Sequence, residues 1–381
     1  MNFFEKIFRF GIIAIGLIVE VIIVRNLFLF FTEHFVWIEM VLRLFSILLV
    51  MYIINNSRHL SADMLWVLLI ILFPIPGTAL FLLLGANLIT SKTFLELIKN
   101  TVESKKYFVQ DEIVLEEMEE IAPHMKGDFY YLSKTEGYPI YRNSNFDYYA
   151  LSDLGYPVML EEMKKAESFI FLEYFTIEKG KLWECMHTIL KEKVTQGLDV
   201  RVMYDDMGTI HSLPPNYANM LESEGIKCVR YNKINPFLGV VMNHRDHRKI
   251  MVIDGKVAFS GGMNLADEYI NQKMVFGHWK DNVIRVKGEA VWSYTVLFLA
   301  NWNAIRKTDD DYTVFKVDAK MENTDGYISP YGETPFDGEN TGQNVYMNIL
   351  NRANNYVYLH TISDYRYRIR ECFNLSRKAW C

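Results

Sequence analysis

The stretch Asn243-His244-Arg245-Asp246-His247-Arg248-Lys249-Ile250-Met251-Val252-Ile253-Asp254-Gly255-Lys256-Val257-Ala258-Phe259-Ser260-Gly261-Gly262-Met263-Asn264 decides the reading of this chain. Within it, His247, Lys249 and Asp254 stand as His-x-Lys-x4-Asp, and after six more residues comes Gly261-Gly262-Met263-Asn264. Residues 249–253 are apolar after the first and run into Asp254-Gly255, a hairpin-turn signal. Side chains alternate along a strand, so His247 and Lys249 share one face. A return strand over 257–260 then carries the Gly-Gly pair back beside them. Asn264 is placed as the N-cap of a helix over 265–271, whose first turn would present free N–H groups and a partial positive charge.

An imidazole, an ammonium, an amide and a helix N-terminus meeting at one point suit a phosphodiester. The histidine attacks phosphorus, while the lysine and asparagine hold the non-bridging oxygens as negative charge builds. The scheme calls for neither metal nor cofactor. His244 and His247 come without a Cys pair or a second His cluster, so zinc is not indicated. A satisfied histidine and a surface lysine beside a buried strand would explain either residue alone. They do not explain the full spacing with its Gly-Gly-x-Asn tail.

That spacing resembles the signature of the phospholipase D superfamily, His-x-Lys-x4-Asp-x6-Gly-Gly-x-Asn, at every position. The resemblance implies that His247 is the nucleophile of a phosphohistidine intermediate or its partner acid/base, with Lys249 and Asn264 binding phosphate. Asp254 is expected to fix the hairpin through backbone hydrogen bonds rather than to touch substrate. A later acidic residue orients the histidine in this family, as the third member does in any nucleophile–base–orienter set. Asp281, in Gly277-His278-Trp279-Lys280-Asp281, matches the Trp-Arg-Asp segment of bacterial cardiolipin synthases, with Lys280 in place of the Arg. The bland alternative for Asp281 is a solvated carboxylate at a strand start.

Net charge is −6, which gives no bulk electrostatic reason to expect a nucleic-acid partner. The four cysteines are scattered, without metal or disulfide spacing. Long apolar runs concentrate in residues 1–90, a membrane region. Residues 10–31 are long enough to span, since a hydrocarbon core needs about 20 helical residues. Residues 35–54 return as a second span. Glu20, Arg25, Glu39 and Arg43 are costly there and are expected to pair within the hairpin. A third run, 64–84, is broken by Pro74, Pro76 and Gly77. It reads either as a re-entrant segment or as a third span; the Lys and Arg clusters flanking the region agree with the former. Its Pro-x-Pro-Gly-Thr stretch and the later Leu172-Glu173-Tyr174-Phe175 and Met203-Tyr204-Asp205-Asp206-Met207-Gly208 also resemble cardiolipin synthases. The resemblance therefore implies a multi-pass bacterial cell-membrane protein.

Residues 91–150 read as a polar helical linker, with 111–120 as a solvated helix face and 143–145 as a loop. From 151 to 310 the pattern is α/β. Strands over 168–175, 200–204 and 227–231 alternate with helices over 158–165, 182–196 and 217–224, the last two closed by Gly197 and Gly225. Strand–helix–strand spacing predicts parallel pairing. Asp205-Asp206 admits a paired-carboxylate metal site, but a loop lining the site at the strand's C-terminal edge is favoured. The fold class expected is thus a phospholipase D-like mixed sheet flanked by helices, preceded by N-terminal transmembrane helices.

Residues 311–344 are loop-rich, and residues 345–359 then replay 158–172 at a constant offset. This repetition implies that 345–361 begins a second, duplicated domain. Residues 362–381 do not continue it. A neighbouring reading frame restores a strand, a turn and an amphipathic helix there, so an out-of-frame tail is expected, with a natural basic tail as the alternative. Family chemistry uses two His-Lys-Asp motifs, one attacking and one moving the proton. This chain has one, so a two-fold homodimer or a separate C-terminal half would supply the other. The resemblance implies phosphatidyl transfer between two phosphatidylglycerol molecules, giving cardiolipin and glycerol. The alternatives are a phospholipase D-type hydrolase and an inactive or complementation-dependent membrane-anchored fragment.

Overall fold

In the computed structural model, the described residues are 18–26, 29, 36–56, 60–82, 92–233, 245–275, 277–321, 324, 326–334 and 339–358. The chain forms two units, one within residues 1–90 and one from 91 onward.

In the first unit, α1 (Val36–Asn56), α2 (Leu60–Leu72) and α3 (Pro74–Leu80) form a small helical cluster. Ile53, Val67, Ile70 and Phe81 pack inside it, while Val41, Leu44, Leu48, Leu65 and Ile71 point outward. The expected break at Pro74 is there: α2 ends before Phe73 and a new short helix starts at the proline. Gly77 is needed at this bend, because a Cβ would stand 2.6 Å from the Leu69 carbonyl oxygen. Ser46 donates to the Pro74 carbonyl (2.8 Å) and accepts from Thr78 Oγ1 (2.8 Å), tying α1 to the start of α3. Arg43 pairs with Glu39 one turn away on α1 itself, at 2.8 Å, one of the pairings expected for these costly charges. Among the described residues a single helix, over Glu39–Asn56, is long and apolar enough to cross a membrane. Most of the expected span over 10–31 lies outside the described residues. The described chain therefore supports one crossing, not the multi-pass arrangement.

The second unit opens with α4 (Lys92–Ser104), α5 (Glu112–Ile121) and α6 (Lys126–Tyr130). Asp111 caps α5 by accepting from the Ile113 N–H, and the helix buries Val114, Leu115 and Met118. A seven-stranded sheet follows: β1 (Ser144–Tyr149), β2 (Phe169–Tyr174), β3 (Asp199–Asp205), β4 (Lys227–Tyr231), β5 (Lys249–Ile253), β6 (Val257–Gly261) and β7 (Val283–Gly288), in the order β1-β7-β6-β5-β2-β3-β4. β2, β3 and β4 are parallel, as the strand–helix spacing predicts, and all other pairs are antiparallel. β1 corrects the loop expected at 143–145 and moves the start of the sheet domain to residue 144. Four of its six residues are exposed, so it shows no buried face in sequence; its pairing with β7 makes it a strand.

The sheet is covered on both faces. Ile170, Leu172 and Tyr174 point towards α7 (Ser152–Lys165) and α8 (Lys181–Thr195), with Met159, Met163, Trp183 and Met186. Phe169 and Phe171 point towards α10 (Val291–Arg306), where Phe171 stacks on Phe298 at 4.7 Å. α9 (Tyr217–Ser223) links β3 to β4. α11 (Thr341–Arg352) lies on the α6 region through an Arg352–Asp128 ion pair of 2.8 Å. Its last residue stands at the repeat offset from the last residue of α7. Residues 356–358 carry no strand, and the proposed tail 362–381 lies outside the described residues.

Candidate active site

The turn of the β5–β6 hairpin is built from Asp254 and Gly255, both in the left-handed region (φ 52° and 64°), with Lys256 N–H donating to the Ile253 carbonyl. The Asp254 carboxylate accepts from the backbone N–H groups of Glu167, Ser168 and Phe169 at 2.8–2.9 Å. The closed end of the hairpin is thereby fixed to the start of β2. Its open end lies where β2 finishes, since Lys249 pairs with Tyr174.

At that open end Lys249 is only 6% exposed. Its Nζ donates to the His247 carbonyl oxygen at 2.8 Å and lies 5.6 Å from the centre of the Phe175 ring. His247 is exposed, and its imidazole sits 4.7 Å from the same ring. Burial brings the Lys249 ammonium down to about 8, against the pull of the Asp246 and Asp281 charges. Desolvation, then the Lys249 charge, lowers His247 below the ordinary histidine value, while Asp246 opposes the shift. Near neutral pH the imidazole is thus free to act as a nucleophile or base, beside an amine that is still cationic.

The Gly-Gly pair has a steric reason. A Cβ on Gly261 (φ 143°) would stand 2.4 Å from the Asn282 carbonyl oxygen, and one on Gly262 would collide with Asp281 Oδ1. The two glycines let the start of β7 and the Asp281 carboxylate close onto β6. Asp281 is half-buried, acts electrostatically on Lys249 and Tyr269, and accepts from the Asn282 N–H at 2.9 Å. Asn264 is buried. Its Oδ1 accepts from Thr176 N–H (3.1 Å) and one N–H of its amide goes to Tyr269 Oη (2.7 Å).

The helix expected over 265–271 is not formed; those residues make a series of turns. Long-range bonds override the local pattern. Leu265 exchanges backbone bonds with Thr176 and Glu178, and the Asp267 carboxylate accepts from the first N–H groups of α8, at Lys181 and Leu182. The site therefore has no helix N-terminus at Asn264, and its positive charge rests on Lys249.

Supporting residues stand around this site, of which the sequence reading singles out Asp205 and Asp206 but not the roles of Asp246, Arg248, Glu173 and Asn301. Asp205 is fully buried and accepts from the N–H groups of Met207 and Gly208 through one oxygen and from Asp246 N–H through the other, so it tethers the segment leading to His247. Asp206 instead pairs with Arg230 at 3.2 Å. Among the described residues no group of three or more His, Cys, Asp or Glu is arranged to hold a metal ion. Asp246 and Arg248 flank His247 and turn inward to Glu173 of β2, which accepts from Asn301 of α10. The signal for them was the same two-residue alternation that puts His247 and Lys249 on one face, read for the opposite face.

Residues 159–291 match the family model described as "Cardiolipin synthase, PLD-like domain". The chain is 40% identical over 314 residues to an uncharacterized protein of Streptococcus mutans, covering 82% of this chain and 68% of that protein. It is 30% identical over 310 residues to a cardiolipin synthase of Oceanobacillus iheyensis, covering 78% of this chain and 62% of that protein. Among solved structures, Nuc of Salmonella typhimurium, a phospholipase D family member, aligns with a TM-score of 0.33 and 16% identity over 43% of this chain and 95% of that one. The chain spans between 51% and 62% of the length of the cardiolipin synthases it matches.

Proposed function

Because the chain belongs to the cardiolipin synthase family of phospholipase D-like proteins, we propose that its second unit carries a phosphatidyl-transfer site and that α1 holds it at a bacterial cell membrane. His247 attacks the phosphorus of a phosphatidylglycerol, forming a P–N bond as the P–O bond to the glycerol headgroup breaks. The leaving alkoxide takes a proton from a second acid. Lys249 and the remaining N–H of Asn264 hold the non-bridging oxygens, and Asp281 orients the imidazole. The hydroxyl of a second phosphatidylglycerol, giving its proton to the same second acid/base, then displaces His247 from phosphorus, yielding cardiolipin. The second acid/base belongs, in this proposal, to a further His-x-Lys-x4-Asp motif, that of another copy of the chain or of a second half.

One observation carries this reading: a buried ammonium held against the backbone of an exposed, weakly basic imidazole. A lysine kept charged in that position has no packing reason to be there, whereas a developing phosphorane needs it. The test is acid-quench trapping. Detergent-solubilised chain is incubated with phosphatidylglycerol and its peptides are examined for phosphatidyl-histidine. An adduct on His247, absent from His247→Ala, supports the proposal, and cardiolipin formation with the second half supplied completes it. Phosphatidic acid as sole product would mean hydrolysis instead. Absence of adduct and of product in both conditions would leave an inert anchored fragment.

A further inference from the structure

Behind His247, on the sheet face opposite Lys249, lies a cluster of ionisable groups that the transfer chemistry does not use. Glu173 is fully buried and Asp246 nearly so. Arg248 places Nε 3.6 Å from both Glu173 Oε1 and Asp246 Oδ1, and also donates to the Leu297 carbonyl. Asn301 donates to Glu173 Oε1 at 2.9 Å, and Asp246 Oδ1 accepts the Arg248 N–H at 3.1 Å. Further charged or titratable neighbours are Tyr231 on β4, Tyr138 ahead of β1, Asp205 with Arg245 at the end of β3, and Lys105 and Glu333, which line a cavity with Arg248.

The donors do not cover the acceptors. Glu173 Oε2 is buried and receives no hydrogen bond from any donor. Its carboxyl group converges with that of Asp246 on the same Arg248 Nε, 3.6 Å from each. A carboxylate oxygen can only accept, so two carboxyl groups can face each other in a dry site only when one carries a proton. Two ionised carboxylates against one guanidinium would also leave a net buried negative charge, a costly arrangement.

We propose that Glu173 and Asp246 share one proton, and that this pair with Arg248 and Asn301 clamps both sequence neighbours of His247, making Glu173 and Asp246 positioning residues for the imidazole. The proposal rests on His247 as the reacting group, but its tests do not require turnover. The proton sits on Glu173, whose Oε2 is the buried carboxyl oxygen that no donor reaches. Asp246 keeps the negative charge, paired with Arg248, and this is the one fixed anion of the cluster next to His247 in sequence. Burial and the Asp246 charge both push Glu173 towards its neutral form.

The experiment uses the full chain in detergent micelles. The infrared spectrum near neutral pH should show a protonated-carboxyl carbonyl band that moves on glutamate-specific 13C labelling of the unmutated protein, an assignment independent of any variant. The band should vanish in Glu173→Gln. It should also vanish in Asp246→Asn, where the one remaining carboxyl ionises against Arg248. His247 is followed by NMR, its resonance assigned by loss in His247→Gln. It should titrate unchanged in Glu173→Gln, which keeps the shape and the neutrality of the acid. It should titrate lower, by about half a pH unit or more, in Asp246→Asn, where the anion moves from the residue beside His247 to Glu173. Absence of a glutamate band in the unmutated protein overturns the proposal. So does a Glu173→Gln variant whose His247 titration falls as far as that of Asp246→Asn, because Glu173 would then carry the charge.

Discussion

Replacing Lys249 by methionine should stabilise the second unit while destroying its affinity for phosphodiesters. Burial takes the ammonium from its ordinary 10.5 to about 8. At about 1.4 kcal/mol per tenfold change in proton affinity, that gap means the charged form costs the native state about 3 kcal/mol near neutral pH. Methionine, one heavy atom shorter, fills the path of the lysine stem and carries no charge. It forfeits the 2.8 Å bond from Nζ to the His247 carbonyl, worth about 1 kcal/mol. The net gain is about 2 kcal/mol, or roughly 5 °C in melting temperature for a unit of this size. The sign with pH follows from linkage. Between about 8 and 10.5 the unfolded chain holds a proton on this lysine that the native state has released, so the native protein gains stability as pH rises through that window. The penalty is fully present below about 8 and is lifted towards 10.5. The variant's advantage should therefore be largest near neutral pH and nearly gone at about pH 10. Thermal unfolding of both proteins, followed by tryptophan fluorescence at the two pH values, measures it. A variant less stable than the parent near neutral pH, or an advantage that does not shrink with pH, would refute the reasoning.

The opposite end of the hairpin should respond in the other direction. Asp254→Ala removes the acceptor for three backbone N–H groups and puts a β-carbon residue without a local hydrogen-bonding group at φ 52°, so chemical denaturation should show a loss of about 3–5 kcal/mol. Asp254→Asn, which tolerates the left-handed backbone and keeps one acceptor, should lose about half as much. Binding of a soluble dialkyl phosphate, measured by calorimetry, should weaken as pH rises through about 8, where Lys249 gives up its proton. A flat profile through that range would remove Lys249 from the phosphate site. In the first unit, Ser46→Ala deletes the link from α1 to Pro74 and Thr78. The loss, about 1 kcal/mol, should speed amide hydrogen exchange over 74–80 about fivefold.

The sheet's centre was legible because its strands announce themselves locally. β2, β3 and β5 are apolar runs punctuated by Gly197, Asp254-Gly255 and Gly225, and their parallel or antiparallel sense follows from what separates them. β1 was not legible. Asn145, Phe146, Asp147 and Tyr148 are all exposed, so no alternation survives, and the strand exists through its register with β7 and the bond from Ala290 N–H to Ser144 Oγ. The segment after Asn264 misled for the converse reason. Its helical pattern is genuine, but Asp267 caps α8, far away in sequence, and Leu265 bridges to Ile177. At the site, the spacing of His247, Lys249, Asp254 and Asn264 could be read from one segment. The surroundings of Arg248 could not, because its partner Glu173 lies 75 residues before it and Asn301, which donates to Glu173, 53 residues after it.

The two ends of the β5–β6 hairpin are physically unlike, and the difference explains how a marginal site can sit on a stable sheet. At the turn, every unusual feature is matched. The left-handed Asp254 is held by three charge-assisted bonds, and Gly255 packs where a Cβ would meet Val317 and the Phe315 carbonyl. At the open end the costs are only partly compensated: a buried ammonium with one hydrogen bond to the His247 carbonyl, two buried carboxyl groups against one guanidinium, and Gly261 at φ 143°. A hairpin anchored at its turn transmits that order along two paired strands of five residues each, so Lys249 and Gly261 are placed by bonds made at the far end of the sheet. Loosening the turn should therefore blur the site before it unfolds the domain. In Asp254→Asn, phosphodiester affinity should fall by more than the uniform loss of folded population can explain, while Lys249→Met should leave the turn's amide protection intact. If Asp254→Asn binds a dialkyl phosphate as the parent does once corrected for folded fraction, the two ends are independent and the hairpin is not the lever that sets the site.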